Sequence, residues 1–100
     1  DFLLKFSSEL RINSETLSKA SDILNEIDEK HGISGKNPAS ITAASLYLAS
    51  QKSGQFRTQI EIAKATGISE STIRRRYKDI LSILEKNKME KYYKIKLREL

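Results

Sequence analysis

The sequence has no cysteine, which excludes disulfides and thiolate metal sites, and its one histidine, His31, cannot make a zinc site by itself. No apolar run approaches the ~20 residues of a membrane-crossing helix, and no signal-peptide pattern opens the chain. A soluble, intracellular protein with no membrane contact is the expectation. Strand-like alternation of apolar and polar residues is missing too, so the elements should be helices. There are no paired carboxylates in an apolar setting, no Ser/His/Asp set beyond coincidence and no cofactor loop. Gly35-Lys36 looks superficially like a phosphate loop, but the preceding glycine is wrongly spaced, no Ser or Thr follows the lysine and no strand leads into it. These absences argue against an enzyme, a metal and a cofactor.

What remains is a chain of 100 residues, 38% hydrophobic, enough for one modest core if helices supply it. Its net charge of +5 is unevenly spread. Residues 1–31 hold four Lys/Arg against seven Asp/Glu, a balance of −3, whereas residues 32–100 hold fourteen against six, a balance of +8. One side of the domain is thereby suited to a polyanion and the other to solvent or a protein.

Phe2, Leu3, Phe6 and Leu10 give a short first helix, and the chain opens inside an element and without methionine, as a cut fragment would. Asn13 or Ser14 can cap a second helix running to about Lys30, with Leu17, Ala20, Ile23, Leu24 and Ile27 inward and Glu15, Lys19, Asp22, Glu26 and Glu29 outward. His31-Gly32 closes it, the histidine serving as a favourable charge near a helix C-terminus. Asn37-Pro38 then starts a third helix, asparagine as cap and proline at the first helical position. From Ala39 to Ala49 the sequence is apolar or small on every side, so this helix is surrounded by others and is the centre of the domain. Lys52 to Arg57 is a polar turn containing Gly54.

The chain is organised around residues 58–84. Thr58-Gln59-Ile60-Glu61 is a capping box, and Ile60, Ile62 and Ala63 supply the inner side of the helix it opens. Gly67 ends that helix in a left-handed conformation, and Ser69 or Ser71 caps the next. In the second helix Ile73, Tyr77, Ile80, Leu81 and Leu84 have the spacing of a buried stripe. At about 100° per residue, Ser71, Arg74, Arg75 and Lys78 fall together on the opposite face, with Arg76 off to the side. A face of small polar and basic side chains suits a major groove, and a flanking arginine suits a phosphate. Two short helices around a glycine, with this charge, point to a helix-turn-helix that meets DNA. Beyond Leu84 lies the lysine-rich stretch EKNKMEKYYKIKLREL. It is either a sixth helix, opened by an Asn87/Glu90 capping box with Met89, Tyr93, Leu97 and Leu100 on one face, or a basic tail.

The order of these features is familiar. Gly35 to Pro38, the Ala-rich helix with Leu46-Tyr47-Leu48-Ala49, the lead-in Arg57-Thr58-Gln59, and Thr72-Ile73-Arg74 followed by Tyr77 together resemble the second cyclin-like repeat of archaeal transcription initiation factor B and its eukaryotic counterpart, general factor IIB. The resemblance covers roughly residues 14–80. It implies a five-helix cyclin fold whose last two helices form a helix-turn-helix, so the chain is expected to be an all-α, cyclin-like bundle over 1–84 with the helix-turn-helix at 58–84, followed by a basic C-terminal extension over 85–100 that the resemblance does not reach.

It also implies a function without catalysis: binding promoter DNA upstream of the TATA box together with the TATA-box-binding protein, and helping to recruit RNA polymerase through the full-length factor. By matching positions, Ser71 and Arg74 would contact bases. Thr58, Gln59, Lys64, Ser69, Thr72, Arg75, Arg76 and Lys78 would contact the DNA backbone. The fragment would act as a monomer in the archaeal cytoplasm, or in the nucleus if eukaryotic. The family's zinc ribbon, polymerase-reaching segment and first repeat lie outside these residues, so this piece alone should not support initiation. The competing expectation is a cyclin-fold protein-interaction module whose helix-turn-helix is purely structural and does not read DNA.

Overall fold

A computed structural model of the chain describes residues 1–28 and 36–99. Among them are five helices and no strand: α1 (Phe2–Glu9), α2 (Ser14–Asp28), α3 (Pro38–Ser53), α4 (Gln59–Thr66) and α5 (Glu70–Glu99). The expected closure of the second helix at His31-Gly32, its last residues Glu29 and Lys30, Gly35, and Leu100 fall outside the described residues.

Local chemistry sets most of the boundaries. Asp1 Oδ1 accepts from the N–H groups of Leu3 and Leu4, at 2.8 and 3.4 Å, and so caps α1. Asn13, rather than Ser14, caps α2, its Oδ1 accepting from Thr16 N–H at 2.8 Å. Asn37 Oδ1 accepts from Ala39 and Ser40 N–H, at 2.8 and 3.4 Å, with Pro38 opening α3. That helix runs past Ala49 to Ser53 and stops at Gly54, whose φ of 81° is the left-handed conformation that glycine takes without a Cβ penalty.

α3 is the hub. Every residue from Ser40 to Ser50 is buried, because α1, α2, α4 and α5 all pack on it. Small residues make that possible: Ala43, Ala44, Ser45 and Ala49 let neighbours approach, while Leu46, Tyr47 and Leu48 fill the spaces between them. α1 adds Phe6 and Leu10, and α2 adds Ala20, Ile23 and Ile27. Thr16 is also fully buried, its hydroxyl sharing a 2.5 Å hydrogen bond with Ser53, a polar contact that the apolar pattern of α2 did not reveal. This is the all-α, five-helix cyclin-like arrangement, with the helix-turn-helix at its C-terminal end.

Three expectations change. Ile60, placed on the inner side of α4, is 52% exposed, and Ile62 alone is fully buried there. Leu81 is 39% exposed, and Ile83 takes its place in the core. Taking about 100° per residue, Ile73, Tyr77, Ile80, Ile83 and Leu84 lie within about 120° of arc, and Leu81 lies about 40° past its edge. The sixth helix does not form as a separate element among the described residues: α5 continues unbroken through Asn87 to Glu99. Nothing between Leu84 and Asn87 would stop it, since Glu85 and Lys86 are good helix formers and neither glycine nor proline intervenes. Asn87 instead donates from Nδ2 to Glu26 Oε2 on α2, at 3.1 Å. No described helix is long and apolar enough to cross a membrane.

Candidate nucleic-acid interface

α4 begins at Thr58, whose Oγ1 accepts from Glu61 N–H at 3.1 Å while Glu61 Oε1 accepts from Thr58 N–H at 3.0 Å. The Thr58 backbone N–H, and after it the Thr58 hydroxyl, hold the Glu61 carboxyl below the usual glutamate range. The helix ends at Gly67, φ 76°, whose N–H donates to Ala63 C=O at 2.9 Å. Thr66 strengthens the junction, its hydroxyl donating to Ile62 C=O at 2.8 Å and accepting from Ile68 N–H at 3.2 Å. Ser69, not Ser71, caps α5, with Oγ accepting from Thr72 N–H at 3.3 Å.

The first half of α5 is held from behind. Ile73 and Ile80 are completely buried and Ile83 nearly so. Tyr77 meets Tyr47 edge-on, ring centroids 5.0 Å apart, and its hydroxyl donates to Gln51 Oε1 at 2.9 Å. Burying an isoleucine contributes about 1.5–3 kcal/mol, against at most about 1 kcal/mol for an exposed ion pair. Packing, then, decides which way the helix faces.

On the far side Ser71, Arg74, Arg75 and Lys78 are all exposed, within about 100° of arc by helical geometry. Hydroxyl groups lie beside them: Ser69 Oγ donates to Thr72 Oγ1 at 2.9 Å, the Ser69 and Ser71 hydroxyls are 3.3 Å apart, and Arg75 Nη2 donates to Thr72 Oγ1 at 3.4 Å. The first turns of α5 thus gather Ser69, Ser71, Thr72, Arg74, Arg75 and Lys78. On α4, Thr58 and Lys64 are exposed and Gln59 is half-buried at the helix start. Such a surface offers charged forks and hydroxyl donors to phosphates and base edges, and it has the helix–turn–helix form whose second helix fits a major groove.

Arg76 stands apart. It falls inside the buried arc of α5, pairs with Asp79 at 3.3 Å and has a side chain only 13% exposed. Sequence reasoning picked out Arg57 only as the lead-in to Thr58 and gave Gln55 no role, and it missed that both side chains bond to backbone on the α1–α2 corner. They sit in a short polar turn where no periodicity exists to read.

Comparison with known proteins bears on the chain as a whole. A family model described as "Transcription factor TFIIB repeat" matches residues 1–83. "Transcription initiation factor IIB" of Methanothermococcus thermolithotrophicus is 42% identical over 85 residues, 85% of this chain and 25% of that protein. "Transcription initiation factor IIB 1" of Thermoplasma volcanium is 38% identical over 87 residues, 87% of this chain and 28% of that protein. The chain therefore spans about a quarter of the length of these curated relatives.

Proposed function

The chain belongs to the TFIIB-repeat family, and from that premise we propose that it is the second cyclin-like repeat of a transcription initiation factor. In this reading it binds promoter DNA upstream of the TATA box, together with the TATA-box-binding protein, and helps recruit RNA polymerase as part of a longer chain. The observation that carries the DNA contact is the two-sidedness of α5: isoleucines anchor one face in the core while Ser71, Arg74, Arg75 and Lys78 stand in solvent on the other.

Roles follow from reach and chemistry. Arg74 is the base reader, since a guanidinium fork matches the two acceptors on a guanine edge and contributes about 1–3 kcal/mol of discrimination there. Ser71, small and one turn earlier, lets the helix approach the bases closely. Arg75, Lys78, Lys64, Thr58, Gln59, Ser69 and Thr72 meet the phosphates, which fix register without carrying sequence information. Arg76, tied to Asp79, adds to the positive field more than to any single contact.

A salt titration tests the reading. Binding of the 100-residue chain to labelled duplex should weaken linearly in log K against log salt, the mark of released counterions. Absence of any binding at low salt would favour a module that engages proteins only.

A further inference from the structure

The α3–α4 link, residues 54–58, is fastened to the α1–α2 corner, residues 10–13, by two side chains. Arg57 donates from both Nε and Nη2 to the Leu10 carbonyl, each at 3.2 Å, and from Nη1 to the Phe56 carbonyl at 3.1 Å. Gln55 bonds in both directions: Oε1 accepts from Asn13 N–H at 2.8 Å, and Nε2 donates to the Arg11 carbonyl at 3.1 Å. Ser50 Oγ accepts from Arg57 N–H at 3.2 Å while donating to the Tyr47 carbonyl at 2.8 Å. The corner has unusual needs: Leu10 is the C-cap of α1, Arg11 holds a left-handed φ of 54°, and Asn13 opens α2. Helix ends leave such backbone groups without intrahelical partners. Here the missing partners come from the residues just before α4.

Arg57 has two simpler readings, a sealed corner or a phosphate ligand in a basic region. The second fits less well, because three of the five guanidinium N–H groups already donate to carbonyls and hold the fork toward the protein. The first omits what is attached. Arg57 directly precedes the cap Thr58, and α4 is an eight-residue helix with a single fully buried side chain, Ile62. One buried side chain makes a pivot; it does not set an angle. The fastening at the N-terminus and the Gly67 junction supply the other fixed points.

We propose that Gln55 and Arg57 are positioning residues for DNA binding. They set the N-terminus of α4 so that Thr58, Gln59 and Lys64 meet phosphates in the same pose in which Ser71 and Arg74 reach bases. The inference rests on the DNA-binding reading above, and its test separates the two.

The 100-residue chain and its Gln55→Ala, Arg57→Lys, Arg57→Ala and Arg74→Ala variants are titrated by fluorescence anisotropy against a labelled promoter-type duplex and a scrambled one. The temperature is one at which circular dichroism shows every variant folded. Gln55→Ala has no charge to lose, and Arg57→Lys keeps its charge but cannot fork onto the Leu10 carbonyl. Each should nevertheless weaken both duplexes alike by about three- to tenfold, the scale of a lost hydrogen bond or two. Each should also flatten the salt dependence, because phosphate contacts elsewhere are lost. Arg57→Lys binding like wild type while Arg57→Ala weakens would make Arg57 a phosphate ligand and overturn the proposal. Unchanged affinity with lowered melting temperature would reduce the corner to a structural seal. Arg74→Ala altering binding while Gln55→Ala and Arg57→Lys do not would sink this inference alone; a wild type that binds neither duplex would sink both.

Discussion

Arg76 and Asp79 are joined at 3.3 Å on the edge of the buried face of α5, whereas Arg74 and Arg75, the two residues before them, stand in solvent. Three consecutive arginines thus have two different surroundings. Arg76 packs its stem against the bundle, and among the described residues its Nε has no hydrogen-bond acceptor. Arg76→Met keeps the packing and removes the unsatisfied donor, so folding stability measured in urea should stay level or rise. Arg76→Ala loses the packing and should cost about 1 kcal/mol. A loss on Arg76→Met as large as on Arg76→Ala would mean that the charge, not the stem, matters.

Gly67 has a φ of 76°, and a Cβ built there would meet nothing within 4 Å. Backbone strain is then the whole cost of a side chain. Gly67→Ala should destabilise by about 1–2 kcal/mol, and Gly67→Asn by less, because asparagine tolerates the left-handed region. Equal losses in chemical denaturation would point to a clash absent from this geometry.

The Thr58/Glu61 box carries a pH signature. Its folded-state carboxyl titrates below the ordinary range, owing first to the Thr58 backbone N–H and then to the Thr58 hydroxyl. The stability it lends α4 is therefore complete above the ordinary glutamate range and lost as pH falls through the lowered folded value. Protection of the Thr58, Ile62 and Ala63 amides, relative to their intrinsic exchange rates, should fall on that acid side, and Glu61→Gln should remove the pH dependence of that protection. Persistence of the same pH dependence in Glu61→Gln would assign it to another group.

Every residue from Lys88 to Glu99 is exposed, although α5 continues through them. An isolated helix of that length is marginal in water. Truncation after Asn87, which keeps the contact with Glu26, should change folding stability by less than about 0.5 kcal/mol while reducing the far-ultraviolet helix signal. A larger loss would show that the extension braces the bundle.

How much of this could be read beforehand depends on the range of the physics involved. Asn37-Pro38, Thr58 with Glu61, and Gly67 act on their own backbone within a few residues, so their spelling alone places three helix boundaries. Alanines and serines along α3 announce a helix with neighbours on all sides, which the burial of Ser40 to Ser50 bears out. Choosing Ile83 over Leu81 was not possible from periodicity, because both lie near the edge of one stripe and the neighbouring helices decide between them. Asn87 and Glu90 have capping-box spacing, yet a helix already running past Leu84 had no reason to stop there. Gln55 and Arg57 find their partners more than forty residues away, and those partners are backbone atoms, invisible to any side-chain pattern. On the candidate interface, the outward placement of Ser71, Arg74, Arg75 and Lys78 was legible from helical geometry, whereas the inward turn of Arg76 needed the packing of α5 against the bundle.

The proposed function places DNA sequence reading on the solvent face of α5, through Arg74. The direct test is the ratio of dissociation constants for a promoter-type and a scrambled duplex, measured for wild type, Arg74→Ala and Arg75→Ala at one fixed salt concentration. Arg74→Ala should collapse the ratio toward one, at a cost of about 1–3 kcal/mol on the preferred duplex, while Arg75→Ala should weaken both duplexes and leave the ratio intact. A ratio unchanged by Arg74→Ala would contradict that proposal.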